Sequence, residues 1–276
     1  MKTTLSAGKS TLLLLFLSFI VLQCAKVPIT GRSQASFVSN RQIIPASFKQ
    51  YEEVKRTSNV LRNGKDADMV TRVGTKIQRA VEKYFNDLGQ RSYLDDYDWE
   101  YILIKDDKTV NAWCMPGGKV AFYTAILPIC KDETGLAVVM GHEIAHAIAN
   151  HGRERVSQSR AAQVGLGILQ VVVPGGASGN TISGDLIMQA AGAGANLGIL
   201  KFSRKHESEA DEMGLYFMAM AGYNPKEAPA FWERMSSTSK GEAPPEFMST
   251  HPSHGTRISE LNKNMPKAMA YYNASK

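Results

Sequence analysis

Cysteine is scarce in this sequence, three residues in 276, and no two stand in a CxxC spacing. That excludes a zinc centre built on paired cysteine thiolates. Basic residues never gather into a run of five, and no ladder of aromatics accompanies them, so the net charge of +6 is not the footprint of a nucleic-acid binder. Two of the excess cations, Lys2 and Lys9, lie in the leader, leaving about +4 for the remainder. Long apolar runs are missing as well. The stretch Leu12 to Leu22 and the arm at 161–173 both fall short of the roughly 20 residues that cross a bilayer. What is present, 43% apolar and 21% charged residues, describes a globular chain with enough length for one good core.

The chemistry concentrates in DETGLAVVMGHEIAHAIANHG at 132–152. Leu136, Val139, Met140, Ile144, Ala147 and Ile148 recur at three and four residues, which predicts a helix with Asp132 as its N-cap. His142 and His146 then sit one turn apart on one face, where two imidazoles share a metal, and Glu143 reaches a water beside it. A hydrolytic zinc site needs a third protein ligand. His151 comes nine residues after His142, with Ala149 where a metzincin spacing needs glycine. Without that glycine the helix continues, and at about 100° per residue His151 turns away to the surface. The other candidate is SRKHESEADEMGL at 203–215, where Glu207 and Asp211 lie four apart on a helical pattern, with Glu209 and Glu212 nearby as for a solvated acidic face.

HEIAHAIANHGRERVSQ, then SRKHESEADEMGL, then THPSHGTRISEL, in that order, resemble the gluzincin metalloproteases, the group of HtpX, BepA, the Oma peptidases and the CAAX prenyl proteases. The resemblance runs from about Pro28 to Leu261 and is strongest to soluble, periplasmic BepA-like lipoproteins. It implies a mainly helical α+β, zincin-like fold, with a small sheet whose edge strand flanks the HExxH helix. It implies one Zn2+ per chain held by His142, His146 and Glu207, with Glu143 as general base and Asp211 as an acid orienting a ligand histidine. His251 and Arg257 match a pattern that lies over the zinc, either to stabilise the oxyanion or, for His251, to fill the open coordination position and hold the enzyme latent. Asn111 and Ala112, in NAWCMPGG, match the edge strand that receives an extended substrate by main-chain pairing. The expected activity is endoproteolysis of unfolded or misassembled cell-envelope proteins; a chaperone-like outer-membrane assembly factor, partnered with assembly machinery, is the alternative.

Residues 1–23 have the basic start and apolar run of an export signal. Cys24 follows as a lipidation site, residues 24–45 read as a polar lipoprotein tether, and 46–276 as the peptidase domain. These features imply an outer-membrane-anchored lipoprotein in the periplasm of a Gram-negative bacterium. Cys114 and Cys130 would then share an oxidising compartment and could pair. Helices are expected over Pro45 to Arg62 and Ala67 to Leu88, a strand over 98–104, and a hairpin turning at Pro116, Gly117 and Gly118. The small-residue stretch 161–200, broken by PGGASGN at 174–180, predicts two helices packed beside the cleft.

Overall fold

The computed structural model describes residues 24–170, 182–192, 202–238, 245–252 and 255–276. The expected signal peptide and the PGGASGN loop lie outside them. A four-stranded mixed sheet carries β3 (Val60–Leu61), β4 (Glu100–Ile104), β5 (Ala112–Met115) and β6 (Lys119–Tyr123) in the order β3-β4-β6-β5. Only the β4–β6 pairing is parallel. Branched and aromatic side chains favour these strands. The turn between β5 and β6 uses Gly117 and Gly118 at φ +89° and +86°, a conformation that side chains resist. The expected edge strand is therefore real, and it is β5.

Helix α1 (Asn40–Thr57) begins ahead of Pro45, because Ser39 caps it and Gln42 accepts a bond from the Ser39 amide at 3.0 Å. Helix α2 (Lys65–Asp87) buries Val70, Val73, Ile77, Val81 and Phe85, the stripe that the sequence pattern predicts. After the short α3 (Leu127–Cys130) comes α4 (Glu133–Ile148), the HExxH helix. Asp132 caps it, accepting from the Thr134 and Gly135 amides at 2.8 and 3.0 Å. Every residue of α4 from Gly135 to Ile148 is buried, so it is a central helix with no solvent face.

Helices α5 (His151–Gln170), α6 (Gly184–Ala190), α7 (Arg204–Met220), α8 (Glu227–Ser237), α9 (Glu246–Thr250) and α10 (Arg257–Ala274) complete the described chain. The contact that positions the site is between α4 and α7. A Cβ on Gly141 would stand 2.7 Å from the Gly214 carbonyl oxygen, and one on Gly214 would stand 2.7 Å from the His142 nitrogen. Backbone meets backbone there, so α7 is drawn against the histidine face of α4.

The residues ahead of α1 are ordered against the domain, and the question left open over Cys114 and Cys130 is answered. The stretch read as a polar tether forms β1 (Cys24–Lys26) and β2 (Ser33–Ala35), an antiparallel pair. Val27 and Val38 are buried, and Ser157 accepts from the Phe37 and Val38 amides at 3.1 Å, so these residues are strapped to the domain. Cys114 and Cys130 are both buried and free, not paired. Among the described residues no helix is long and apolar enough to cross a membrane.

Candidate metal centre

His142, His146, Glu207 and His251 bring four donor atoms together within 4.8 Å of one another, all buried. His142 Nε2 lies 3.1 Å from His146 Nε2 and 3.2 Å from His251 Nδ1. Glu207 Oε1 lies 3.1 Å from His251 Nδ1 and 3.5 Å from His146 Nε2. Zinc binds imidazole nitrogen at about 2.0–2.1 Å in a tetrahedron, whose edges are then about 3.3–3.4 Å long. These separations fit one zinc ion. The fourth corner is His251 Nδ1.

Each donor is held from behind. Glu207 and Asp211, one turn apart on α7, share Arg257: its Nε donates to Asp211 Oδ2 at 2.7 Å and a terminal nitrogen donates to Glu207 Oε2 at 2.6 Å. The guanidinium stacks over Trp232 at 3.9 Å. Arg257 thus supports the two carboxylates, while its remaining terminal nitrogen, Nη1, is buried without a hydrogen-bond partner. Asp211 Oδ1 lies 3.0 Å from His142 Nδ1, the placement expected of an acid that orients that ring. Phe202 packs on His146 and His251 with ring centroids 3.9 and 4.9 Å away.

Burial raises the Glu143 carboxyl well above the usual range, and the Glu207 charge adds to it. Both Glu143 oxygens lack a hydrogen-bond partner, and His251 Nε2 approaches one at 3.6 Å. Glu207 behaves in the opposite way. Burial favours its neutral form, yet His251, His146 and His142 hold it well below the ordinary carboxylate range. Burial pushes His251 down to about 4, in spite of Glu207.

Asn111 immediately precedes the edge strand and Ala112 opens it, and both are engaged. Asn111 Oδ1 accepts from the Ala112 amide at 2.9 Å, and its Nδ2 donates to Glu246 Oε1 at 3.0 Å. The Phe247 amide donates to Val110 at 3.1 Å. Segment 246–251 therefore fills the metal's fourth corner with His251 and covers the mouth of the edge strand. From the other side, the α5–α6 pair lies against the site: Arg155 donates to the Ala190 carbonyl at 3.1 Å, and a Cβ on Gly192 would meet His251 Nε2 at 3.1 Å.

The reading of His151 as a surface histidine is overturned: it is fully buried. Helix α4 stops at Ile148 and Asn150 takes φ +56°, so α5 starts at His151 in a new direction and turns its ring back onto His146. Tyr93 and Tyr97 donate to the Ile148 and Ala147 carbonyls at 2.6 and 2.9 Å, satisfying the helix end. Asparagine is the residue besides glycine that readily enters the left-handed region, and Asn150 was the overlooked signal. Glu209 likewise is buried beside His151, not on a solvated face.

The sequence profile of Peptidase family M48 matches residues 74–265. The chain is 31% identical over 257 residues to the mitochondrial metalloendopeptidase OMA1 of Saccharomyces cerevisiae, covering 91% of this chain and 71% of that one. It is 28% identical over 280 residues to the human mitochondrial metalloendopeptidase OMA1, and 30% identical over 187 residues to the beta-barrel assembly-enhancing protease of Escherichia coli. It spans only 51% and 38% of the length of those two. The expected periplasmic, Gram-negative placement does not stand, because the yeast, plant and animal relatives are mitochondrial proteins. The matched span encloses the HExxH helix, Glu207 and the His251–Arg257 segment, and the chain belongs to Peptidase family M48, the family of zinc metalloendopeptidases.

Proposed function

We propose that this protein is a latent zinc metalloendopeptidase that cuts extended segments of unfolded or misassembled polypeptides and is held shut by its own His251. The observation that supports the reading is the fourth donor: His251 Nδ1 stands where a hydrolytic site needs an open position. His142, His146 and Glu207 are the permanent ligands. A zinc ion held by them would supply a Lewis acid for the peptide carbonyl and for the attacking water.

Glu143, unpartnered beside the metal position, takes the proton of the attacking water as a carboxylate and returns one to the leaving amine. Asp211 fixes the His142 ring. Arg257 keeps Glu207 ionised and aimed. When segment 246–251 moves out, it frees the fourth corner and releases Asn111 at the same time, so the edge of β5 opens to pair with an extended chain. Main-chain pairing suits unfolded substrates with modest sequence preference.

The test is casein cleavage and zinc content on the full chain. His251→Ala raises cleavage with zinc retained, Glu143→Gln keeps zinc and abolishes cleavage, and Glu207→Ala loses zinc. A fall in cleavage with His251→Ala refutes the latency and assigns His251 to the oxyanion. The closed fourth corner also favours a second reading, a chaperone-like factor in membrane-protein assembly that holds chains and rarely cuts them, in keeping with the name of the E. coli relative. Under that reading, Glu143→Gln still corrects the assembly defect of a deletion strain.

A further inference from the structure

Behind His146, on the side away from the other donors, lies a buried polar chain that the hydrolytic roles leave unused. His146 turns Nε2 to the metal position, so with zinc bound its proton sits on Nδ1. The atom facing that Nδ1, at 2.9 Å, is His151 Nδ1. His151 must therefore accept there, and its own proton sits on Nε2, 2.9 Å from Glu209 Oε2. No other assignment satisfies both contacts.

Glu209 in turn is gripped by the N-terminal strap. Arg32, from the turn between β1 and β2, donates from Nε to Glu209 Oε2 at 2.6 Å, and the Thr30 hydroxyl donates to Glu209 Oε1. The terminal nitrogens of Arg32 donate to both oxygens of Glu154 at 3.1 and 2.8 Å. Glu154 accepts from His206 Nε2 at 3.1 Å, and the His206 ring stacks on His151 at 4.4 Å. A planar guanidinium can hold two carboxylates in fixed directions at once, which an ammonium cannot.

We propose that His151 and Arg32 are positioning residues for the metal ligand His146: Arg32 fixes Glu209, Glu209 fixes the tautomer and tilt of His151, and His151 holds the His146 ring with Nε2 aimed at the metal. The proposal rests on the zinc-site reading above and adds a third layer to it, supplied by a segment far away in sequence. Orienting partners of metal-bound histidines typically carry about 10 to 100-fold in metal affinity.

The experiment uses the full chain stripped of metal, zinc affinity by chelator competition, and the visible absorption of the cobalt-substituted protein as a report on ligand geometry. His151→Phe fills the space without an acceptor; it weakens zinc binding by about 10 to 100-fold and shifts the cobalt bands. His151→Gln keeps an acceptor for His146 and a donor for Glu209, and restores both readouts. Arg32→Lys keeps the charge but loses the fork, and moves both readouts in the same direction as His151→Phe. Should His151→Phe fail to fold, Arg32→Lys and His151→Gln carry the comparison. Wild-type affinity and spectrum in His151→Phe, or in Arg32→Lys where that variant carries the test, overturn the proposal, as does a His151→Gln protein no better than His151→Phe. A wild-type chain that binds no zinc would instead sink the metal-site reading, so the two failures are distinct.

Discussion

Gly214→Ala tests the contact that assembles the site. The new methyl would stand 2.7 Å from the His142 nitrogen, 2.8 Å from the Gly141 carbonyl carbon and 2.9 Å from the His142 Cα. All three are backbone atoms, so no side-chain rotation relieves the clash. Returning them to ordinary contact at about 3.5–4.0 Å drives α4 and α7 apart by about 1 Å. Such overpacking costs about 1–3 kcal/mol. Alanine gains about 1 kcal/mol over glycine inside a helix, so the net loss of stability is up to about 2 kcal/mol.

The donors are the sharper readout. His142 and His146 ride on α4 while Glu207 and Asp211 ride on α7, and their separations of 3.0–3.6 Å match one ion and its supports. A shift of about 1 Å in such a constellation costs on the order of 100-fold in activity. Zinc affinity by chelator competition, and casein cleavage measured in a His251→Ala background so that latency does not mask the loss, give the answer. A Gly214→Ala protein with wild-type zinc affinity and undiminished cleavage would refute the argument that this backbone contact sets the site.

Arg257→Leu leaves the Glu207 and Asp211 carboxylates buried without their cation, and should cost about 3–5 kcal/mol in urea unfolding of the metal-free protein; a loss under about 1 kcal/mol would show that the carboxylates find other partners. Asn150→Val forces a branched residue to φ +56° and should lose about 1–2 kcal/mol, whereas Asn150→Gly keeps the turn, a contrast that thermal unfolding reads directly. Metal-free protein should weaken in acid. Burial holds His151 and His251 neutral down to about 4, while the unfolded chain protonates them near 6.5. Their contribution is whole above 6.5 and drains as the pH falls towards 4, by about 3 kcal/mol for each at 1.36 kcal/mol per pH unit. Urea midpoints that stay level from pH 7.5 to 4.5 would contradict it.

The sequence by itself determined the parts whose physics is local. A cap at Asp132, a helical apolar period and histidines one turn apart require no knowledge of the rest of the chain, and neither does the i, i+4 pairing of Glu207 with Asp211. The Gly117–Gly118 turn and the stripe on α2 are local in the same sense. Tertiary structure decided the rest. Which side of α7 meets α4 depends on two glycines 73 residues apart in the numbering, Gly141 and Gly214, that let backbones touch. Whether His251 ligates or stands aside depends on α9 docking against Val110 and Asn111. Arg257 pairs with Glu207 and Asp211 because a buried guanidinium is favoured beside anions, and only the fold brings α10 to α7. His151 misled the helical projection because one left-handed residue, Asn150, resets the axis, and a wheel drawn through it loses its meaning. Arg32 could not be placed from sequence at all: it lies in the β1–β2 turn while its partners Glu154 and Glu209 lie on two separate helices, and only the folded chain brings those three together.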